Sequence, residues 1–262
     1  ESAAQDYSAK EDILATYLLG RWDSEKVRII GGVRMEQTRN VLRGNVTEYA
    51  LDDEGEATGV ISTPNVFTKH YTDWLPSLTA RFEPSQGLVF RAAAYKSLVR
   101  PKLSQLAPRF ILDEDYAAEF GNPNLKPEES RQGDIGLTWQ ANPNHRVRAT
   151  AYRSLVDNLI AMDAASAQSI NVSKAQLRGV ELELGGHIGN TSYQLAASRA
   201  QVTSASTAAK IRRPRSQLTG SIDQKLSDTL HAGIELSSRN STPDSGGDVG
   251  GFALWNAYAR WQ

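Results

Sequence analysis

Few residues of this chain have the types and spacing that catalysis or metal binding requires. The 262 residues include no cysteine, and the spacing of His70, His145, His187 and His231 matches no metal-binding motif. No serine–histidine–aspartate arrangement and no carboxylate pair can be assigned from spacing. The glycine-rich stretch "SGGDVGG" at 245–251 lacks the strand–loop–helix context of a phosphate loop. We therefore expect no catalytic residue, no metal site and no cofactor, and we do not expect an enzyme.

Two clusters of charge are the remaining candidates for binding chemistry. Asp52, Asp53, Glu54 and Glu56 carry carboxylates of the kind that hold divalent cations, although solvated surface charge is the favoured interpretation. The basic run "KIRRPR" at 210–215 could contact lipopolysaccharide phosphates or an anionic ligand, but a charge cluster at the base of a loop is the simpler interpretation. The formal net charge of −1 predicts no nucleic-acid partner.

The elements that must position these residues are predicted to be β-strands, because apolar and polar residues alternate with a period of two over most of the chain. In "GDIGLTWQ", Ile135, Leu137 and Trp139 alternate with polar residues or glycine. No run of about 18 apolar residues is present, so no transmembrane helix is predicted. A mean hydropathy of −0.45 is typical of soluble proteins, but a membrane β-barrel has a similar average. Eleven strands are predicted, at 8–23, 26–38, 70–82, 87–98, 129–140, 145–162, 174–188, 191–203, 213–224, 229–239 and 251–262.

The connections between these strands alternate in length along the whole chain. Tight connections are predicted near 24–25, 83–86, 141–144, 188–190 and 225–228. Long connections are predicted at 39–69, 99–128, 163–173, 204–212 and 240–250. In an up-and-down sheet, successive connections lie at opposite ends, so one end carries only tight turns. Outer-membrane β-barrels show this asymmetry, whereas a β-sandwich has no reason to show it.

The two faces of the predicted strands differ in polarity. Trp255 and Trp261 share a face of the last strand about 20 Å apart, close to the separation of the two aromatic belts of a barrel. Charged residues on the other face would meet solvent in a soluble sheet or a hydrated lumen in a barrel, and the alternation alone does not separate these cases. The residues predicted to face the lumen are Arg81, Arg91, Glu181, Glu183 and Glu235.

Five segments resemble the barrel of TonB-dependent outer-membrane receptors and follow the order found in that family. They are "EDILATYLLGRWDSEKVRIIGGVRMEQT", "WLPSLTARFEPSQGLVFRAAAYKSLVRPKLSQLAP", "GNPNLKPEESRQGDIGLTW", "NVSKAQLRGVELEL" and "LWNAYARW". The third is the most recognisable, and its prolines are expected to end a long loop before Glu128 and Glu129 enter a strand. The first half resembles receptors of the oligosaccharide type, and the second half resembles cobalamin and siderophore receptors.

The resemblance implies an all-β fold, an antiparallel up-and-down transmembrane β-barrel. Residues 1–262 would form a partial wall of about eleven strands in one barrel domain, with the family's plug domain and closing C-terminal strands outside the chain. The implied function is active uptake of a ferric siderophore, cobalamin or oligosaccharide across the outer membrane of a Gram-negative bacterium, with energy from TonB. The implied partners are the plug, TonB through the plug, outer-membrane lipid and lipopolysaccharide, and the small-molecule ligand. Another outer-membrane barrel, either an adhesin or an enzyme, and a soluble β-sheet binding protein stay open as alternatives.

Ligand contacts are expected where the long loops descend to the barrel. Aromatic faces there would suit sugars or apolar macrocycles, and cations would suit anionic siderophores. The expected contacts are Tyr71, Trp74, Arg100, Lys102, Arg109 and Tyr116.

Overall fold

The fold of the protein is almost entirely β-structure. The computed structural model describes residues 7–51, 57–108, 110–112, 118–163, 168–172, 174–204, 214–244 and 247–261. The strands are β1 (Ser8–Asp23), β2 (Val27–Leu51), β3 (Ala57–Ser85), β4 (Leu88–Val99), β5 (Phe110–Leu112), β6 (Ala118–Phe120), β7 (Glu128–Asn142), β8 (His145–Asp157), β9 (Ile160–Asp163), β10 (Gln168–Asn171), β11 (Ala175–Ile188), β12 (Thr191–Ser204), β13 (Ser216–Lys225), β14 (Leu230–Arg239), β15 (Thr242–Asp244), β16 (Gly247–Val249) and β17 (Phe252–Trp261). The helix α1 spans Leu103–Leu106, and no helix among the described residues is long and apolar enough to cross a membrane.

Eleven of these strands form one antiparallel sheet, which we call the wall. Its order is β1-β2-β3-β4-β7-β8-β11-β12-β13-β14-β17, so each strand pairs with the next wall strand along the chain. Within the described residues β1 and β17 each pair on one side only, and the sheet is therefore open. The predicted up-and-down sheet of eleven strands is confirmed. The short strands form two separate small sheets, β5-β6-β10-β9 and β15-β16.

The five tight turns lie at one end of the wall, as predicted from the alternation of connection lengths. They join β1 to β2, β3 to β4, β7 to β8, β11 to β12 and β13 to β14. Two of them use glycine in the left-handed region, Gly87 with φ 79° and Gly189 with φ 57°. At Gly87 a side chain would also clash, because an added Cβ would lie 2.6 Å from the carbonyl oxygen of Gln140.

The register assigns the wall residues to two faces, because directly paired residues of neighbouring strands share a face. The apolar face carries Leu78, Phe82, Phe90, Leu137, Trp139, Val180, Leu182 and Ile234, as the alternation predicts. The polar face carries Arg81, Arg91, Thr138, Glu181, Glu183 and Glu235, also as predicted. Most large residues of the apolar face are exposed, so no described part of the chain forms a layer against this face.

Aromatic rings mark the height of the apolar face. Near the tight turns lie Trp22, Phe82, Phe90, Trp139, Tyr193 and Trp261. Towards the other end lie Trp74, eight residues before Phe82 on β3, and Trp255, six residues before Trp261 on β17. At ~3.3 Å per residue these separations are about 26 and 20 Å, the height of the apolar band of a membrane barrel. We call the rows between these rings the apolar band.

Two predicted boundaries are wrong. Residues 39–69 were expected to be a long loop, but β2 continues to Leu51 and β3 begins at Ala57, so most of this stretch is a hairpin beyond the apolar band. The acidic cluster at 52–56 lies outside the described residues. The predicted strand 145–162 is also interrupted at Asn158, whose φ of 57° breaks the ladder. The chain then leaves the wall, and β9 pairs with β10.

Candidate functional site

Two long connections fold back onto the polar face of β1–β3 and form a packed unit that we call the loop junction. It comprises the described residues of 100–127, after β4, and of 158–174, after β8. Its apolar centre is Leu42, Leu106 and Leu125, each at most 2% exposed. Gly44 permits this packing, because an added Cβ there would lie 2.0 Å from the carbonyl oxygen of Pro108. The partly buried apolar residues around the centre are Ala9, Phe67, Leu103 and Ile160.

Asparagine side chains join the two connections. Asn122 Nδ2 donates to the carbonyl of Ser169 at 2.9 Å. Asn171 Oδ1 accepts from the backbone N–H of Lys126 at 2.7 Å, and its Nδ2 donates to the carbonyls of Lys126 and Asn158 at 2.9 and 2.8 Å. These bonds satisfy backbone groups that would otherwise lack ladder partners.

The stretch "GNPNLKPEES" is therefore part of a packed unit. Asn122 also closes its turn, since its carbonyl accepts from Leu125 N at 3.2 Å. Strand β7 begins at Glu128, which agrees with the predicted entry into the sheet. The Glu128 carboxylate then accepts from the backbone N–H of Ile160 at 2.7 Å, so it ties β7 to the neighbouring connection.

A buried polar cluster lies on the polar face beneath the loop junction, beyond the apolar band. The Arg100 guanidinium donates to the Glu36 carboxylate and, at 3.3 Å, to Thr38 Oγ1. Arg34 Nε donates to the other Glu36 oxygen at 2.6 Å. The hydrogen bonds from Arg100 and Arg34 hold the pKa of the Glu36 carboxyl below its ordinary value. Arg100 thus fixes the start of the long connection to β2.

Lys69 makes a second tie between the wall and the loop junction. Its Nζ donates to the carbonyls of Leu125 and Asn124 at 2.6 and 3.2 Å. Burial lowers the pKa of the Lys69 ammonium, and the charge of Lys126 acts in the same direction. Close by, Asn40 (2% exposed) and Asp73 (7% exposed) each have a buried side-chain oxygen without a hydrogen-bond partner among the described residues. Each oxygen can accept a bond from water or from a polar ligand group.

Of the six expected ligand contacts, the four that the structure describes lie at three different places. Tyr71 and Arg100 lie in the polar cluster, where Tyr71 pairs with Thr38 across the ladder. Lys102 is exposed at the start of α1. Trp74 pairs with Met35 on the apolar face, 56% exposed, on the opposite side of the wall from Tyr71. The two other expected contacts, Arg109 and Tyr116, lie outside the described residues.

The residues expected to face a lumen share the polar face and form local contacts there. Glu183 lies 3.5 Å from Arg148, and Arg91 donates to Thr138 Oγ1 at 3.2 Å. Arg81 and Arg91 are direct cross-strand partners, and Arg81 forms an ion pair with Glu83. Glu181 and Glu235 lie on the same face of β11 and β14. A hydrated lumen on this side remains a prediction.

Sequence reasoning missed Glu36, Asp73, Lys69 and Asn171, on which the polar cluster and the loop junction depend. The alternation does put Glu36 on the polar face of "VRMEQ", but it does not reveal which distant connection covers that face. Among the described residues no group of three or more histidine, aspartate or glutamate side chains is placed to hold a metal ion.

An open antiparallel wall with tight turns at one end, long connections at the other and an exposed apolar band defines a β-barrel type of membrane protein. The family model described as "TonB dependent receptor-like, beta-barrel" matches residues 2–262. The chain therefore belongs to the TonB-dependent receptor β-barrel family, whose members are receptors and transporters of the Gram-negative outer membrane, and it is an outer-membrane protein.

Individual relatives are similar over limited shares of their own length. The vitamin B12 transporter BtuB of Photobacterium profundum is 29% identical in an alignment of 175 residues, and the match covers 59% of this chain and 27% of the transporter. The Serratia marcescens hemophore receptor HasR, solved with its hemophore and heme, has a TM-score of 0.70 at 16% identity, covering 96% of this chain and 46% of that one. The ferric yersiniabactin uptake receptor FyuA of Yersinia pestis has a TM-score of 0.70 at 13% identity, covering 98% and 39%. The chain thus spans less than half the length of these relatives.

Proposed function

We propose that this chain is part of the barrel wall of an active uptake receptor that passes a scarce, bulky solute through the outer membrane with energy from TonB. The family match across residues 2–262 carries the proposal. The polar face of the wall would contact the receptor's plug domain, which in turn would contact TonB. We expect no enzymatic activity of the wall itself, because the members of the matched family are receptors and transporters.

The ligand we propose is a ferric siderophore, cobalamin or an oligosaccharide. The relatives named above take up or bind vitamin B12, a hemophore with heme, and ferric yersiniabactin, so a large and tightly chelated or ringed solute suits the family. Binding would occur on the long connections, since a rigid scaffold commonly presents its ligand contacts on loops.

Among the expected contacts, Lys102, Arg109 and Tyr116 are the ones we propose to touch ligand directly. Lys102 is an exposed residue of the loop junction, and Arg109 and Tyr116 belong to the same connection. Tyr71 and Arg100 would support them from below, because Arg100 is already committed to Glu36. Trp74 would sit at the membrane interface, where tryptophan rings are enriched.

Uptake in cells that produce the complete receptor tests this function. A panel of radiolabelled or fluorescent siderophores, cobalamin and oligosaccharides is offered to strains with and without TonB. Uptake of one class that requires both the receptor and TonB is the expected result. Uptake that persists without TonB, or no uptake of any of the three classes, contradicts the proposal.

A variant pair tests the proposed contacts. Replacing Lys102 and Arg109 with alanine should weaken surface binding of that ligand about tenfold, as the loss of a charged hydrogen bond would. The matched control is Lys26→Ala in the first tight turn, an exposed lysine at the opposite end of the wall. Both variants should keep the heat-modifiable barrel, because exposed substitutions change stability by about 0.5 kcal/mol. Equal binding by both variants contradicts the assignment.

A further inference from the structure

Four neighbouring wall strands each place one arginine on the apolar face. Arg153 of β8 pairs directly with Arg178 of β11. Arg131 of β7 is two residues from Gly133, the partner of Arg153, and Arg199 of β12 is two residues from Gln201, the partner of Arg178. All four side chains are exposed. We call them the arginine row.

The arginine row lies along the edge of the apolar band at the long-connection end. Arg153 is two residues beyond Ala151, and Arg178 is two residues beyond Val180. Arg199 pairs directly with Val180. An arginine on the lipid face is strongly unfavourable at the bilayer midplane and much less so near the bilayer edges, so the row lies at a height where guanidinium groups are tolerated.

Carboxylates neutralise this row only in part. Arg131 bonds Asp157 at 2.6 Å, but Arg153 donates to the amide oxygen of Gln176 and Arg178 to that of Gln201. In the part of the chain that the structure describes, Arg153, Arg178 and Arg199 form no ion pair. On the polar face, Arg34, Arg81 and Arg148 each have a glutamate partner, whereas Arg91 donates to Thr138.

The direct pairing of Arg153 with Arg178 is unfavourable by itself, because like charges opposite one another destabilise a ladder. An anion between the two guanidinium groups would reverse the sign of this interaction. Phosphate is an anion suited to such a pair, because a planar guanidinium group can bind phosphate oxygens in bidentate fashion. The pair therefore favours a phosphorylated partner at this height of the wall.

An apolar groove continues from the arginine row down the same face. The groove is lined by small residues, by larger apolar residues such as Phe90 and Val180, and by Arg199. The small residues are Ala80, Ala92, Ala149, Ala151 and Ala197. A groove of this kind fits an acyl chain whose headgroup is held at the arginine row.

We propose that the arginine row binds the phosphate groups of lipopolysaccharide, with an acyl chain of the same molecule in the alanine-lined groove. This proposal rests on the placement of the chain in the outer membrane and names a specific lipid site on its wall. It does not depend on which solute the receptor takes up.

Retention of lipid by the complete receptor tests the site. The receptor is purified in mild detergent, and bound lipopolysaccharide is measured by native mass spectrometry. Arg153→Gln with Arg178→Gln should reduce the bound fraction about tenfold or more, because two charged hydrogen-bond partners are lost. The matched control is Arg91→Gln with Arg146→Gln, two arginines of the polar face. Equal retention by the two double variants overturns the proposal.

Three further arms make the outcome specific. Added back to delipidated receptor, lipopolysaccharide should bind and the same lipid after enzymatic dephosphorylation should not; equal binding of both overturns the phosphate assignment. Millimolar inorganic phosphate should not displace the lipid, and displacement would show a site for free phosphate instead. If the double glutamine variant does not fold, Arg178→Gln is compared with Arg178→Lys, and retention must be lower in the glutamine variant.

Lipid retention without any TonB-dependent uptake would refute the proposed function but leave this site intact.

Discussion

The loop junction and the wall are held together by different kinds of interaction. Most of the buried apolar residues belong to the junction or pack against it, namely Leu42, Leu106, Ala107, Leu125 and Ala161, whereas Val89, Ala175 and Ala200 belong to other strands of the wall. The wall instead has continuous ladders and an exposed apolar face. In a bilayer, such a wall is stabilised by satisfied backbone groups and by lipid, and it needs no protein core. The junction lies beyond the apolar band, so it must bury its own side chains as a water-soluble domain does.

The largest difference between the two regions should appear when a leucine is truncated. Leu125→Ala removes a side chain that is 2% exposed and should cost about 2–5 kcal/mol of local stability. Limited proteolysis of intact cells should then cut the connection 100–127, while the heat-modifiable barrel remains. The wall control, Leu182→Ala, removes a side chain that is 43% exposed and should leave the proteolysis pattern unchanged. A junction as resistant as wild type would show that Leu125 carries little of its stability.

Hydrogen bonding should give the next largest effect. Asn171→Ala removes one accepted and two donated bonds to backbone groups and should cost about 1–3 kcal/mol. Amide hydrogen exchange at Lys126 should accelerate, because its N–H loses its acceptor. Asn171→Asp keeps that acceptor and should protect Lys126 better than alanine does. The wall control is Asn256→Ala, at an exposed position of β17. A similar acceleration of amide exchange next to Asn256 in this variant would remove the distinction between the regions.

In the wall, substitution should be most destabilising at a glycine that is covered by a tyrosine ring. Tyr258 pairs with Gly233, and a Cβ at Gly233 would lie 2.4 Å from the Tyr258 ring. Gly233→Ala should therefore cost about 1–3 kcal/mol through overpacking, seen as a lower temperature for heat modification. At Gly185 the nearest atom would be 3.9 Å from an added Cβ, so Gly185→Ala should be nearly neutral. Equal shifts for the two variants would contradict the role of the tyrosine.

The smallest effect should be the pH dependence of the junction. The pKa of Glu36 is lower when folded, so its ion pairs contribute stability above the ordinary carboxyl pKa of about 4.3 and lose it as pH falls through the lower folded value. Resistance of the connection 100–127 to an acid-active protease should therefore decrease below about pH 4. In Glu36→Gln this step should disappear and resistance at neutral pH should be lower. An unchanged pH profile would show that other groups control it.

The sequence predicted the wall more closely than the parts that depend on distant contacts, and the reason is physical. Strand identity and the two faces follow from a period of two that is local, so β4, β7 and β11 were predicted closely. The β2–β3 hairpin was missed because Gly44 and Pro64 resemble loop residues. Gly44 is required by contact with Pro108, and Pro64 is tolerated because β3 pairs only with β2 at that height. Such reasons involve distant residues and are not visible in a local pattern.

The same limit applies to the candidate site. Tyr71 and Arg100 do lie close together, because both are near the position where a long connection meets the wall, and their contact with a ligand stays a prediction. Trp74 was grouped with them although odd and even positions of β3 point to opposite sides, and this alternation could have separated Trp74 from Tyr71. The bond between Arg100 and Glu36 joins residues 64 positions apart, which no spacing rule reveals.

The long β2–β3 hairpin has a mechanical consequence. From Glu36 to Leu51, β2 rises about 50 Å beyond the apolar band at ~3.3 Å per residue, as a ribbon only two strands wide. Such a ribbon is a cantilever: it twists and bends more easily than a sheet of eleven strands. Pro108 contacts Gly44 partway along this ribbon and supports it there. Only the part of the hairpin beyond Gly44 is then left without such support, so the length that can bend freely is shorter. The stiffness of the β2–β3 hairpin is therefore set by a neighbouring loop as well as by its own two strands.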